Sequence, residues 1–143
     1  MNGVINRLIA RVMFIILFFA PVHENNFYLS VKDEVTTEST VICFEYKNST
    51  NRAVHVTELD YIIEKKEGSE WVKINRSPDY IALDSPSRIY PTQKETVEIN
   101  LMNVFGHLLD EGEYRLVLTY YVWSNHTEGT EKTASANFTV VQK

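Results

Sequence analysis

Cysteine is almost missing from this chain of 143 residues: Cys43 stands alone, so no internal disulfide can form and the fold must be held by packing. Glycine and proline are scarce as well, at 5 and 4 residues, which excludes collagen-like and low-complexity chains. No apolar run reaches the ~20 residues that a membrane-spanning helix needs. Positive charge is also short. The 14 basic residues face 19 acidic ones, for a net charge of −5, and two of the basic residues, Arg7 and Arg11, lie near the N-terminus. An acidic chain without a basic stripe cannot neutralise phosphates, which argues against nucleic acid as a partner. The chain has no Gly-x-Ser-x-Gly, Walker-type loop, His-Glu-x-x-His or Cys-x-x-Cys. Its histidines, His23, His55, His107 and His126, lack metal-ligand spacing. His107 and Asp110 share a loop, read as a solvated end rather than an ion site. The expectation is therefore no catalytic residue, no metal and no small-molecule cofactor.

What is present begins with Arg7, Arg11 and the run Val12 to Ala20, VMFIILFFA, followed by Pro21. This is the organisation of an export signal, too short to span a bilayer as a helix. Residues 1–22 are read as a signal peptide cleaved between Ala20 and Glu24, with a retained, short N-terminal membrane anchor as the alternative. Residues 26–143 are read as one domain.

Hydrophobic residues make up 44% and aromatics 12% of the chain, enough for one core and weighted towards strands. The organising stretch is Leu109 to Trp123, LDEGEYRLVLTYYVW. Tyr114, Leu116, Leu118, Tyr120 and Val122 point to one face of a strand, and Arg115, Val117, Thr119, Tyr121 and Trp123 to the other. Asp110, Gly112 and Tyr114 form the corner before it: the aspartate can bond to backbone two residues on, the glycine can take positive φ, and the tyrosine hydroxyl can reach backbone upstream. A plain strand tyrosine with its hydroxyl in water is the alternative.

Further strands are expected at Phe27 to Lys32, Thr40 to Tyr46, Ala53 to Lys65, Glu70 to Ile74, Glu95 to Leu101 and Ala134 to Val141, with a short edge strand at Tyr80 to Leu83. Asp33 to Thr40 reads as a polar connection. Asn48 to Arg52 reads as a turn, and the strands it joins are expected to pair antiparallel. Alternation slips near Thr57, the mark of a bulge or bend. Tyr61 to Ile74 reads as a hairpin. Val104, Phe105, Leu108 and Leu109 are expected to plug one end, with one helical turn. Cys43, inside VICFEY, reads as a buried, inert thiol; pairing between chains is the alternative if it is exposed. Seven to eight strands at this spacing indicate an all-β sandwich.

The series Tyr61, Glu64-Lys65, Gly68, Trp71 and Ile74, then Ile89-Tyr90-Pro91 before Glu95-Thr96-Val97-Glu98-Ile99, then Leu109, Gly112-Glu113-Tyr114-Arg115, resembles the small immunoglobulin-like domains of exported proteins from bacillus-type Gram-positive bacteria. The resemblance covers about residues 26 to 141. It implies an immunoglobulin-like antiparallel β-sandwich without known catalytic residues. Tyr90-Pro91-Thr92 departs from the usual pattern of proline followed by glycine, and Leu116 stands where animal immunoglobulin domains carry a second cysteine.

The function expected is an exported or cell-surface, non-enzymatic binding or accessory module at the cell envelope, contacting a protein or cell-wall component. Trp71, Tyr121 and Trp123 are the candidate contact residues, or else simply cover the sheet. Two other readings stay open. One is a small proteinase inhibitor presenting the Ser77 to Pro91 loop. The other is a structural assembly subunit pairing through edge strands. Asn48, Asn75, Asn125 and Asn137 each begin an Asn-x-Ser/Thr triplet, uninformative without a known source.

Overall fold

Period-two runs of β-branched and aromatic residues become strands along the whole chain. In the computed structural model, residues 26–82, 85–123 and 129–143 are described, without the side chains of 58 and 59. In chain order the elements are β1 (Phe27–Val31), β2 (Val35–Thr36), β3 (Val41–Asn48), β4 (Val54–Glu67), β5 (Glu70–Lys73), β6 (Ser87–Ile89), β7 (Lys94–Asn100), α1 (Leu101–Phe105), β8 (Gly112–Trp123) and β9 (Gly129–Val141).

They form two sheets. The smaller runs β1-β3-β7; the larger runs β2-β9-β8-β4-β5, with β6 also paired to β4. Among the described residues all pairings are antiparallel except β2 with β9. Ile42, Phe44 and Tyr46 of β3 face Val54, Val56, Tyr61 and Ile63 of β4 and Tyr114, Leu116, Leu118 and Tyr120 of β8 in one buried core. Aromatic contacts bridge the sheets: Phe27 stacks on Tyr120 at 4.5 Å and Phe44 meets Tyr61 at 6.1 Å. Burying such a side chain is worth about 1.5–3 kcal/mol against leaving it exposed, and with no internal disulfide this term must carry the fold.

The expected sandwich is therefore present, with several local differences. Asp33 to Thr40 is not only a connection, because Val35 is buried and lies beside Val140 in β2. The strands joined by Asn48 to Arg52 do not pair. Both edges of β3 are occupied, by β1 and β7, so the turn carries the chain across to the larger sheet. Tyr80 to Ala82 is not a strand, and position 83 falls outside the described residues. The short strand is β6 instead, because Ile89 is fully buried opposite Val54 whereas Ile81 is 85% exposed.

The slip near Thr57 is a bulge: Val56 pairs with Tyr120 and Tyr61 with Leu118, so five steps of β4 match two of β8. The odd number restores both residues to the core side. Inside the bulge the Thr57 hydroxyl donates to the Asp60 carboxylate. At one end, α1 begins with Asn100 Oδ1 accepting from the Asn103 N–H at 3.0 Å and ends at Gly106, whose φ is 79°. Leu101, Val104, Phe105 and Leu109 are buried there as the expected plug, and Leu108 packs partly against it.

The corner before β8 forms through backbone. Tyr114 is buried and its hydroxyl donates to the Asp110 carbonyl at 2.8 Å. Asp110 serves through that carbonyl; its carboxylate is exposed, 3.9 Å from Lys65 Nζ. Gly112 has φ of 152°, a conformation side chains disfavour.

Candidate functional site

Paired residues on adjacent strands share a face of the sheet, so register alone assembles the outer face of the larger sheet. Across its strands the pairs give one outward row of Arg88, His55, Tyr121 and Glu131, on β6, β4, β8 and β9. The next row carries Trp123 opposite Gly129. Trp123 is 43% exposed. Its ring meets that of His55 edge-on, with centroids 5.7 Å apart. Gly129 gives the indole room, since a Cβ there would come within 3.3 Å of it. Tyr90, 55% exposed, leaves β6 at this same end.

The polar atoms of this cluster hold one another. Arg88 Nε donates to His55 Nε2 at 3.3 Å, leaving the imidazole proton on Nδ1. Partial burial lowers the His55 pKa, and the Arg88 charge lowers it further, so the ring is neutral near pH 7. The Tyr121 hydroxyl donates to Glu131 at 3.3 Å. The Asp60 charge, slight burial and Glu131 together raise its pKa and keep it a donor. The result is an aromatic surface whose edges can donate and accept hydrogen bonds, held in place before any partner arrives.

Trp71 lies elsewhere. It sits on β5 at the far end of the same face, where the Arg115 guanidinium stacks 4.6 Å from its ring centre. Arg115 is eight residues from Trp123 along β8, or roughly 27 Å. Of the three expected contact residues, Tyr121 and Trp123 are brought together and Trp71 is not. His55 and Arg88 complete the cluster and escaped the sequence reading as contact residues. Their signal was an outward phase on β4 and β6, unusable until β6 and the bulge were known.

Cys43 corrects an expectation. It is half-buried on the outer side of β3, with Sγ 4.0 Å from Glu98 Oε1, because its neighbours Ile42 and Phe44 take the core side. Partial burial, a hydrogen bond with Asp33 and the Glu98 charge raise its pKa, so the thiol is kept protonated near neutral pH. His107 is exposed, with Nδ1 2.7 Å from the Leu108 carbonyl. Among the described residues no cluster of three His, Cys, Asp or Glu side chains could hold a metal, and no helix is long and apolar enough to cross a membrane. The segment 1–22 and Asn125 lie outside the described residues. Asn48 is fully buried, whereas Asn75 and Asn137 are exposed.

A search of curated proteins finds no match. Solved structures give low-identity likenesses. The PapD-like domain 7 of human CEP192 is 9% identical with a TM-score of 0.40, the match covering 87% of this chain and 92% of that one. The CsuC–CsuE chaperone–tip adhesion subunit complex of Acinetobacter baumannii pili gives 13% identity and 0.44, covering 82% and 57%. The Salmonella enterica SafA pilin with its SafB chaperone gives 10% and 0.48, covering 84% and 56%. This chain thus spans little more than half the length of the latter two. The sequence profile of the bacterial Ig-like domain matches residues 23–139, and the chain belongs to that family.

Proposed function

We propose that this protein is an exported, non-enzymatic Ig-like module that works at the envelope of a Gram-positive bacterium by contacting a protein or cell-wall component through the Trp123 end of its larger sheet. The observation that carries this reading is the cluster itself: Trp123 stays 43% exposed although His55 and Gly129 fix its ring. Exposed, immobilised aromatics beside an arginine are the residues that dominate binding energy at interfaces. Ig-like sandwiches are typically non-catalytic binding domains, and the chemistry of this face suits adhesion rather than turnover. The N-terminal run Val12 to Ala20 supports export.

The test is sedimentation of the purified domain with isolated envelopes of its host. Binding is expected to fall at least about tenfold in Trp123→Ala and to persist in Tyr28→Ala, which alters an exposed aromatic of the smaller sheet. Equal binding by both variants contradicts the reading. Export is checked separately by intact mass, where a species shortened by about 20 residues is expected in the medium.

A further inference from the structure

At the opposite end of the same face, Trp71 borders a trough of about 310 Å³ whose other side chains include Lys66, Glu113, Asn137 and Thr139. Register explains how they meet. Trp71 pairs with Lys66 across β5 and β4, while Glu113 pairs with Thr139 and Arg115 with Asn137 across β8 and β9. The half-buried indole has the Arg115 guanidinium on its ring at 4.6 Å.

Charge decides what such a trough can attract. Lys66 Nζ lies 2.7 Å from Glu113 Oε2, and Arg115 Nε donates to Glu64. Each cation is matched by its own carboxylate, so there is no net field to draw in a phosphate or a strongly charged peptide. What remains is an aromatic wall facing carboxylate, ammonium, amide and hydroxyl groups within one short span. That set is complementary to an uncharged ring with apolar C–H faces and a rim of hydroxyls. The volume lies at the small end for ligand sites, so one ring fits at a time.

We propose that this trough binds a neutral pyranose unit of a polysaccharide, its C–H face on the side of the Trp71 ring that Arg115 does not cover and its hydroxyls on Glu113 and Asn137. The site is separate from the Trp123 end, so each stands or fails alone. One ring held by one stack and a few exposed hydrogen bonds gives weak binding, with Kd of about 1 mM, and strength would come from repetition along a chain.

The test is NMR titration of the tryptophan indole N–H resonances with the N-acetylglucosamine tetramer and with cellotetraose, the two indoles assigned through Trp71→Phe. The Trp71 resonance is expected to move saturably with at least one sugar while that of Trp123 stays in place. Trp71→Ala should abolish sugar-induced shifts of neighbouring amides, and Asn137→Ala should weaken binding about tenfold, the loss of one good hydrogen-bonding contact. Asn137 is exposed on β9, so that variant remains readable if Trp71→Ala unfolds. No movement of the Trp71 resonance up to about 10 mM of either sugar, tenfold above the expected Kd, would overturn the proposal. So would movement with a sulfated heparin tetrasaccharide alone.

Discussion

Asn48 has no solvent exposure, yet its side chain is fully satisfied. Its Nδ2 donates to the carbonyls of Arg52 at 2.7 Å and Ile89 at 2.9 Å, and its Oδ1 accepts from the N–H and hydroxyl of Thr50. One amide thus fastens the end of β3 to the crossing turn and to β6. Asn48→Ala leaves the buried Ile89 carbonyl without that donor, whereas the Arg52 carbonyl, on an exposed residue, keeps the Thr50 hydroxyl at 2.9 Å; a loss of about 1–3 kcal/mol is expected in urea denaturation. The same burial closes the Asn48 triplet to glycosylation in the folded protein. Nearby, Thr92 has φ of 70°. It follows Pro91 in a turn where the Gln93 N–H donates to the Tyr90 carbonyl at 3.1 Å, a place that favours glycine. A β-branched residue there costs roughly 1–2 kcal/mol, partly offset by the entropy glycine loses on folding. Thr92→Gly should therefore stabilise by about 0.5–1 kcal/mol; a destabilised variant would mean that the threonine side chain holds the turn.

Among the elements, β8 is the one on which most others depend. It lies between β4 and β9, and its inward side chains fill the core. The hydroxyl of Tyr114 anchors its start, so Tyr114→Phe should lower stability by about 1 kcal/mol while leaving the stack on Phe138, at 5.5 Å, in place. No change in denaturation midpoint would mean that the corner is held by packing alone. β8 was legible in the sequence because its alternation is long and its turn chemistry is local. The partner of β3 was not, because a short turn between two strands looks the same whether the chain stays in its sheet or crosses to the other. β6 was hidden for a different reason. Three residues carry no period, and Ile89 is distinguished from Ile81 only by which one meets Val54.

At the scale of the whole molecule, the outer face of the larger sheet is where the sequence was read least completely. Tyr121 and Trp123 share one strand phase and were visible; His55 and Arg88 join them only through tertiary register. That neighbourhood gives a pH signature. Partial burial and then Arg88 lower the folded-state pKa of His55, so the unfolded chain takes up that proton first. Stability should therefore decline as pH falls below the ordinary histidine value of about 6.5, until the lowered folded-state pKa is passed. Comparing thermal unfolding of the wild type and His55→Asn isolates this contribution. The decline between the two pKa values should be smaller in the variant, and identical pH profiles would contradict the assignment.

The most direct test of the contact face is hydroxyl-radical footprinting of the protein on isolated host envelopes, read by mass spectrometry at individual side chains. Oxidation of Trp123 and Tyr121 should fall on binding while that of Tyr28, on the smaller sheet, and Ile81, in the Ser77 to Pro91 segment, is unchanged. Protection of Ile81 or Tyr28 with Trp123 still fully labelled would contradict the account and move the contact to that segment or to the smaller sheet.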